Sequence, residues 1–247
     1  MPATPAWPPK SHPRLFVRTP LGEGASVDLD AAQANYLGNV MRLGAGSELL
    51  VFDGASGEWL ARIAEAAKKR MTLTVERRTR ESESIPDVWL AFAPVKRAQT
   101  DWLVEKATEL GVARLLPVMT ERTVAERVRL SRLEAISIEA AEQCGRTRLP
   151  AIAEPAGLKT ILAEREPTRR LYFADEGGGE AAASAFAPGA AIILTGPEGG
   201  FTDQERALVR GSENAVPISL GPRILRAETA ALAALAAFMA TAGDWTD

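Results

Sequence analysis

Two short segments near the C-terminus combine glycine, proline and charged residues in a way that suits ligand binding. Leu194–Gly200 reads Leu-Thr-Gly-Pro-Glu-Gly-Gly, and Leu220–Arg223 reads Leu-Gly-Pro-Arg. Glycine lets a backbone approach a ligand closely, and proline stiffens a turn. Neither segment is a Walker loop, since no Gly-Lys-Ser/Thr follows, and neither matches G-x-G-x-x-G. The segments predict a ligand site of another kind, with tight turns that merely connect elements as the alternative.

Histidine and cysteine are too scarce for several kinds of catalysis. The chain has one histidine, His12, in a proline-rich leader, and one cysteine, Cys144. A Ser-His-Asp triad would need that single histidine, a zinc site would lack its usual ligands, and an intrachain disulfide is impossible. We expect no metal, and chemistry that uses carboxylates, Arg, Lys, backbone groups or a cofactor. Cys144 continues an apolar helical spacing from Leu133, which favours a small core residue.

A basic stripe lies between residues 68 and 80 of a chain whose net charge is −3. Its cations are Lys68, Lys69, Arg70, Arg77, Arg78 and Arg80, with Glu76 the one carboxylate among them. Met71, Leu73 and Val75 alternate with polar residues there, as in a half-buried strand. Two interpretations stay open: a solvated strand edge protected by charge, or a surface that contacts phosphates.

The elements that would position these residues change character at residues 80–86. Residues 14–79 have short runs typical of a small β-barrel or sandwich, with strands predicted at 15–17, 49–52, 59–63 and 71–75. Arg80–Pro86 breaks this periodicity, and we place a domain boundary there. From Asp87 the chain alternates strands and helices, which predicts a largely parallel sheet with helices on both faces.

Both glycine–proline segments follow predicted strands of this sheet. Strands are predicted at 88–93, 113–118, 171–174, 191–195 and 216–220, and a final helix at 227–242. Ligands bind beyond the carboxyl ends of parallel strands, so two such loops at adjacent strand ends would form one site. The capping boxes Ser131-x-x-Glu134 and Thr202-x-x-Glu205 each predict the start of a helix.

The length of 247 residues and the apolar content of 46% allow one large or two modest globular domains. No apolar stretch reaches the about 18 residues of a membrane span. The N-terminus lacks the apolar core of a signal peptide, so we expect a cytoplasmic protein. The proline-rich leader, residues 1–13, is expected to be disordered.

Residues 194–202 and 219–230 closely resemble the two C-terminal motifs of the bacterial 16S rRNA uridine-N3 methyltransferases, a family of the SPOUT superfamily. Residues 102–112 (WLVEKATELGV), 121–124 (ERTV) and 139–150 (EAAEQCGRTRLP) resemble further motifs of that family. Residues 13–17 and 39–43 are similar to its small N-terminal β-domain. The resemblance extends over roughly residues 13–240.

This resemblance implies an α/β fold with an N-terminal PUA-like β-barrel over 14–80, which binds RNA, and a SPOUT methyltransferase domain over 87–247. It implies a deep trefoil knot in roughly 171–240, a homodimer, and S-adenosyl-L-methionine as cofactor. The two glycine–proline loops would correspond to the knot loops that bind this cofactor, and the stretch after the strand at 171–174 would be the third wall of the pocket. The implied substrate is one uridine in the decoding region of 16S rRNA in the small ribosomal subunit. The implied cofactor-binding residues are Phe173, Leu194, Thr195, Gly196, Glu198, Gly199, Gly200, Leu220, Gly221, Ile224, Leu225, Arg226 and Thr229.

Methyl transfer to uracil N3 requires an in-line approach and loss of the N3 proton. Arg226, with Arg146 and Arg148, is predicted to hold the resulting anion or a neighbouring phosphate. Glu198 and Glu228 are the candidate bases, although the first turn of a helix, where Glu228 lies, favours a carboxylate anyway. The predicted RNA-binding residues are Arg14, Arg42, Lys69, Arg70, Arg78, Arg146 and Arg148.

The sequence disfavours two other functions and leaves a third open. The family often has histidine where this chain has Asn35–Leu37, so an RNA contact there would be made differently. The lack of G-x-G-x-x-G with a downstream acidic residue disfavours a dinucleotide-dependent oxidoreductase. The retained loops disfavour a non-catalytic RNA-binding or ribosome-assembly factor. Methylation of another base or of a ribose 2′-oxygen stays open.

Overall fold

The computed structural model describes residues 12–67, 70–124 and 127–246. The chain divides into two compact units. The first runs to Ser84 and takes in Ala141–Arg148, and the second comprises Ile85–Ala140 and the chain from Leu149 onwards. The division after Ser84 falls where the sequence loses its periodicity, whereas the place of Ala141–Arg148 in the first unit was not predicted. Most of the leader, together with Lys68 and Lys69, lies outside the described residues.

The first unit is built on a five-stranded sheet in the order β1-β3-β4-β5-β2. Its strands are β1 (Arg14–Phe16), β2 (Ser26–Leu29), β3 (Glu48–Phe52), β4 (Glu58–Ala67) and β5 (Arg70–Arg80). β1 and β3 are parallel, and the other neighbours are antiparallel. Met71, Leu73 and Val75 are buried while Arg70, Arg77 and Arg78 are exposed, so the predicted alternation along β5 is confirmed.

Three short elements of the first unit were not predicted: β2, the helix α1 (Ala31–Asn35) and a π-helical turn (Tyr36–Val40). Asp30 starts α1 by accepting hydrogen bonds from the backbone of Ala32 and Gln33. Leu37 anchors the π-helical turn in the core. These three elements lack the continuous apolar runs by which the other short strands were recognised.

The second unit contains a sheet in the order β11-β13-β10-β12-β6-β7-β8, with β9 also paired to β7. Every described strand pair in it is parallel. The strands are β6 (Val88–Phe92), β7 (Arg114–Met119), β8 (Ala151–Ile152), β9 (Ala156–Gly157), β10 (Arg170–Ala174), β11 (Glu180–Ala181), β12 (Ala191–Thr195) and β13 (Ala215–Ser219). The helices are α2 (Arg97–Glu109), α3 (Leu130–Cys144), α4 (Leu158–Glu164), α5 (Ala182–Ala185), α6 (Asp203–Arg210) and α7 (Ala227–Thr241), followed by a 3₁₀ turn (Asp244–Thr246).

Helices cover both faces of this sheet, as the strand–helix alternation predicts. Leu90 of β6 belongs to one buried cluster, with Leu103 of α2 and Leu235 of α7. Its neighbour Ala91 belongs to a second cluster, with Leu158 and Val209 from α4 and α6. Successive residues of a strand point to opposite faces, so the two clusters lie on opposite sides of the sheet.

Two predictions about this unit are wrong in detail. Ser131 is not a helix cap, because α3 already begins at Leu130. The strands that precede the two glycine–proline loops, β12 and β13, are not neighbours, since β10 lies between them. Both are nevertheless parallel to β10, so their carboxyl ends lie at the same edge of the sheet. By contrast, the capping box of Thr202 and Glu205 is confirmed at the start of α6.

Across the described residues, none of the helices has both the length and the apolar character needed to cross a bilayer. α7, with 15 residues, is the most apolar of the long helices, and packing in the core explains its apolar character. Its side chains Ala231, Ala234 and Leu235 are fully buried in the core of the second unit.

Candidate active site

A cavity of about 590 Å³ lies at the carboxyl edge of the parallel sheet in the second unit. Three segments line it: residues 174–178 after β10, residues 195–201 after β12, and residues 218–230 from the end of β13 into α7. Its volume falls within the about 300–1,000 Å³ typical of sites for small organic ligands. The two glycine–proline loops therefore share one pocket with a third segment between them.

Most of the residues predicted to bind a cofactor line this cavity. They are Thr195, Gly196, Glu198, Gly200, Leu220, Gly221, Ile224, Leu225 and Arg226. Asp175, Glu176, Ser219 and Arg223 also line it, although they were not named among the predicted cofactor-binding residues. Asp175 and Glu176 belong to the stretch directly after β10, which was expected to be the third wall of the pocket.

Four predicted cofactor-binding residues do not line the cavity. Phe173 and Leu194 lie within strands and are buried in the core, where the ring of Phe173 packs 5.0 Å from that of Phe201. The carbonyl of Gly199 accepts a hydrogen bond of 2.8 Å from Arg122, so Gly199 connects the loop to the segment 121–124. Thr229 is exposed in the first turn of α7.

At two positions in the loop after β12, neighbouring atoms leave no room for any residue larger than glycine. A Cβ atom on Gly196 would come within 2.7 Å of the Phe201 ring. Gly200 has a φ of +68°, and a Cβ there would overlap the carboxylate of Glu176. A larger residue at either position would displace a side chain that lines the cavity.

Oppositely charged side chains hold the segment after β10. The Asp175 carboxylate is fully buried and accepts hydrogen bonds from Arg210 Nε at 2.8 Å and from the Gly177 backbone at 2.7 Å. Arg206 Nε lies 3.4 Å from Asp175, and its Nη2 donates to Glu176 at 3.3 Å. Arg206 and Arg210 both project from α6, whose start is set by the Thr202–Glu205 capping box.

The candidate catalytic residues differ in their access to the cavity. Arg226 is the exposed residue directly before α7, and it lines the cavity together with the exposed Glu198. Glu228 is buried in the first turn of α7 and does not line the cavity. Its Oε2 atom has no hydrogen-bond partner among the described residues. The geometry therefore favours Glu198 over Glu228 as a group that can reach a ligand.

Arg14, which was predicted to contact RNA, is bonded within the protein in this structure. Its guanidinium donates to Glu58 at 2.7 Å and to the backbone carbonyls of Ala141, Glu142 and Arg146 at 2.6, 2.9 and 2.7 Å. The side chain is only 11% exposed. Arg14 therefore ties the end of α3 to the β-sheet of the first unit.

Arg146 is also buried rather than presented to solvent, with a side chain 6% exposed and Nε 3.6 Å from Glu83. Glu83 also accepts hydrogen bonds from the backbone of Thr147 and Arg148. Neither Arg146 nor Arg148 is among the residues that line the cavity of the second unit. Arg148 itself is exposed.

The remaining predicted RNA-binding residues of the first unit are exposed where the structure describes them. Arg42 has a φ of +57° and lies two residues after the end of the π-helical turn, and Arg70 and Arg78 lie on β5. Arg78 pairs with Glu81 at 2.7 Å and lies 5.7 Å from the centre of the Trp59 ring. Lys69 lies outside the described residues.

Two protein-family models match this chain. Residues 81–239 match a family model described as "RNA methyltransferase domain", and residues 29–76 match one described as "RNA methyltransferase PUA domain". Ribosomal RNA small subunit methyltransferase E of Rickettsia conorii is 30% identical, over 90% of this chain and 93% of that protein. The Synechocystis protein of the same name is 35% identical, over 86% of this chain and 72% of that protein.

A solved structure shows the same architecture with a ligand bound. The ribosomal RNA small subunit methyltransferase E of Neisseria gonorrhoeae, crystallised bound to S-adenosyl methionine, superposes with a TM-score of 0.86 at 30% identity. The match covers 95% of this chain and 99% of that chain.

Proposed function

Because this chain belongs to the ribosomal RNA small subunit methyltransferase E family, we propose that it methylates N3 of one uridine in 16S rRNA with S-adenosyl-L-methionine as methyl donor. The observation that carries the proposal is the cavity formed by residues 174–178, 195–201 and 218–230. The two segments that resemble the motifs of these enzymes form two of its three walls. A ribosomal substrate would place the reaction in the cytoplasm.

The residues of the cavity fit this cofactor in size and chemistry. Gly196 and Gly200 leave room close to the backbone, and Leu220 and Leu225 offer apolar contacts for a purine ring. Carboxylates and backbone groups provide acceptors and donors for the polar parts of the molecule. When bound, S-adenosylmethionine supplies an electrophilic methyl group on a positively charged sulfur.

The chain's own residues must stabilise a uracil that loses its N3 proton. Arg226 is exposed at the cavity, and its permanently charged guanidinium suits the oxygens of a uracil anion. Glu198 is the carboxylate that we propose accepts the N3 proton, because it lines the same cavity and is exposed. Holding the base in line contributes further, since positioning alone supplies about 7–11 kcal/mol in well-oriented model reactions.

We propose that the first unit positions the RNA through its backbone phosphates. Exposed Arg42, Arg70, Arg78 and Arg148 supply the positive charge, and Tyr36, 41% exposed on the π-helical turn, supplies a ring on which an unpaired base can stack. The target base must leave its stack to enter the cavity.

We further propose that residues 171–240 form a deep trefoil knot and that the protein acts as a homodimer. The resemblance of the cavity loops to the motifs of knotted methyltransferases supports the knot. Trp102 and Ile224 are 45% and 89% exposed in the second unit, and such apolar side chains suit a surface covered by a second copy. Sedimentation equilibrium of the purified protein tests the dimer.

Calorimetric titration tests the cofactor part of this proposal. The protein is expected to bind S-adenosylmethionine with saturation and to show no heat with NAD. Changing Gly196 to valine should abolish the binding, because the side chain would collide with Phe201. If the wild-type protein binds neither compound, alone or with small-subunit RNA present, the proposed activity is wrong.

A further inference from the structure

Four charged side chains form a cluster on the cavity wall that the proposed reaction does not use. This wall cluster consists of Asp175, Glu176, Arg206 and Arg210. Asp175 is fully buried at its centre and pairs with both guanidiniums, at 3.4 Å from Arg206 and 2.7 Å from Arg210. Asp175 and Glu176 line the cavity, and both arginines are held by α6.

Glu176 is the member of the wall cluster that both lines the cavity and is exposed. Its Oε1 accepts a hydrogen bond from Arg206 at 3.3 Å, and it lies so close to Gly200 that a Cβ there would overlap it. The side chain is 49% exposed and lines the cavity. The carboxylate is therefore held between the loops that follow β10 and β12, with Oε2 left to accept a further hydrogen bond.

The charges of the wall cluster cancel, so Glu176 is better suited to bind a neutral hydrogen-bond donor than a cation. Two carboxylates face two guanidiniums, so the cluster exerts little net pull on a cation. A carboxylate that is already paired still accepts strong hydrogen bonds from neutral donors. Glu198, by contrast, makes no ion pair within the described residues and lines the same cavity.

We propose that Glu176 binds the ribose hydroxyls of the cofactor. This assignment rests on the proposed function, since it presupposes a nucleoside ligand in the cavity. The vicinal hydroxyls of ribose are the adjacent neutral donors of S-adenosylmethionine, and a carboxylate beyond the end of a parallel strand is a recurrent ribose ligand. Arg206 and Asp175 act as positioning residues, because they hold the Glu176 carboxylate in place.

Displacement binding separates the ribose contact from other effects. Bound S-adenosylmethionine is displaced in one titration by S-adenosylhomocysteine and in another by 2′,3′-dideoxy-S-adenosylhomocysteine, which lacks both ribose hydroxyls. The measured quantity is the ratio of the affinities of these two competitors. In the wild type the hydroxyls should favour the ribose compound by about 10-fold or more. In Glu176→Ala the ratio should fall close to one, mainly through weaker binding of the ribose compound, and Glu176→Gln should give an intermediate ratio.

Glu180→Ala is the matched control, because Glu180 is an exposed carboxylate of the same unit that does not line the cavity. It should keep the wild-type ratio, and circular dichroism should show that every variant is folded. A Glu176→Ala protein that still discriminates as strongly as the wild type overturns the assignment while leaving the proposed function intact. A wild-type protein that binds neither compound nor S-adenosylmethionine overturns both.

Discussion

Burial separates the roles of arginines that look alike in the sequence. Arg14 donates to one carboxylate and three carbonyls, so its hydrogen-bonding capacity serves the fold. Arg226 is exposed at the cavity, where its charge can act on a ligand. The difference comes from long-range packing: Ala141–Arg148 folds against the first unit, and the local sequence around Arg14 does not reveal this.

Replacing Arg226 by alanine should remove most of the methyl transfer without unfolding the protein. Loss of a donor to a developing anion typically lowers kcat by about 10²–10³-fold. Single-turnover methylation of small-subunit RNA measures the effect. Arg97→Ala, which alters an exposed arginine away from the cavity, should behave as the wild type. Wild-type turnover by Arg226→Ala would remove this residue from the mechanism.

Gly200→Ala should impair the cavity, because the new methyl group would collide with Glu176 at a residue of positive φ. We expect S-adenosylmethionine to bind at least about 10-fold more weakly, as for the loss of a well-placed polar contact. Gly189→Ala is the matched control: its φ is +118°, but no atom lies within 4 Å of the added Cβ. Equal binding by the two variants would argue against a collision at Gly200.

The Glu58 carboxylate links the first unit's stability to pH. Burial raises the pKa of Glu58, but hydrogen bonds and charges from Arg14 and Arg80 outweigh this and hold it below its ordinary value of 4.5. The pair therefore stabilises the fold above about pH 4.5, and the contribution is lost as the pH falls through the lowered pKa.

Glu58→Gln should lower the free energy of unfolding at pH 7 by about 1–3 kcal/mol, because Arg14 loses its charged partner. The variant should also lose less stability than the wild type between pH 7 and pH 3. Urea unfolding followed by circular dichroism measures both quantities. Parallel pH profiles for the two proteins would contradict the role given to Glu58.

At the scale of elements, the N-terminal cap of α6 positions the helix that carries the arginines of the wall cluster. Thr202 Oγ1 accepts from the backbone of Glu205 at 3.2 Å, and the Glu205 carboxylate accepts from the backbone of Thr202 at 2.9 Å. The same carboxylate accepts from the Glu121 backbone at 2.9 Å, so the cap also connects to the segment 121–124. α6 thereby carries Arg206 and Arg210 to the wall cluster.

Removing the cap with Thr202→Ala should destabilise the protein by about 1 kcal/mol. It should also weaken S-adenosylmethionine binding, since α6 positions the wall cluster. Thermal unfolding and calorimetry measure the two effects. Thr241→Ala is the control: it removes a hydroxyl in the last turn of α7, and this hydroxyl does not cap the start of a helix. It should destabilise the protein less than Thr202→Ala does. A Thr202→Ala protein as stable as the wild type would show that the cap is dispensable.

Strands with continuous apolar runs and helix starts with a capping motif were predictable from the sequence. Contacts between distant segments were not. The strands β6, β10 and β12 are buried runs, and the Thr202–Glu205 box has a local chemical pattern, so sequence alone located them. The order of the strands depends on crossovers, which is why β10 was not expected between β12 and β13. The cavity role of Glu176 depends on the same arrangement.

At the scale of the whole molecule, we propose that the first unit holds the RNA and the second carries out the methyl transfer. The first unit exposes Arg42, Arg70 and Arg78, whereas the second contains the cavity. Phosphate contacts fix the place of an RNA without reading its sequence. Selection of one uridine then depends on which base can enter the cavity.

Charge reversal of Arg70 and Arg78 together should weaken RNA binding and reduce its salt dependence. Each lost phosphate contact lowers the slope of log Kobs against log salt by about 0.7–0.9. Filter binding of small-subunit RNA at several salt concentrations measures the slope. Arg97→Glu reverses an exposed charge of the second unit and should change the slope less. An unaltered slope in the double variant would remove β5 from the RNA-binding surface.

Identifying the methylated nucleoside is the most direct test of whether this protein methylates uracil N3. Small subunits that lack the modification are incubated with the protein and S-adenosylmethionine carrying a labelled methyl group, and their RNA is digested to nucleosides for mass spectrometry. We predict one labelled product, 3-methyluridine, which is lost with Arg226→Ala. Label in another base, label on a ribose 2′-oxygen, or no label at all would contradict methylation of uracil N3.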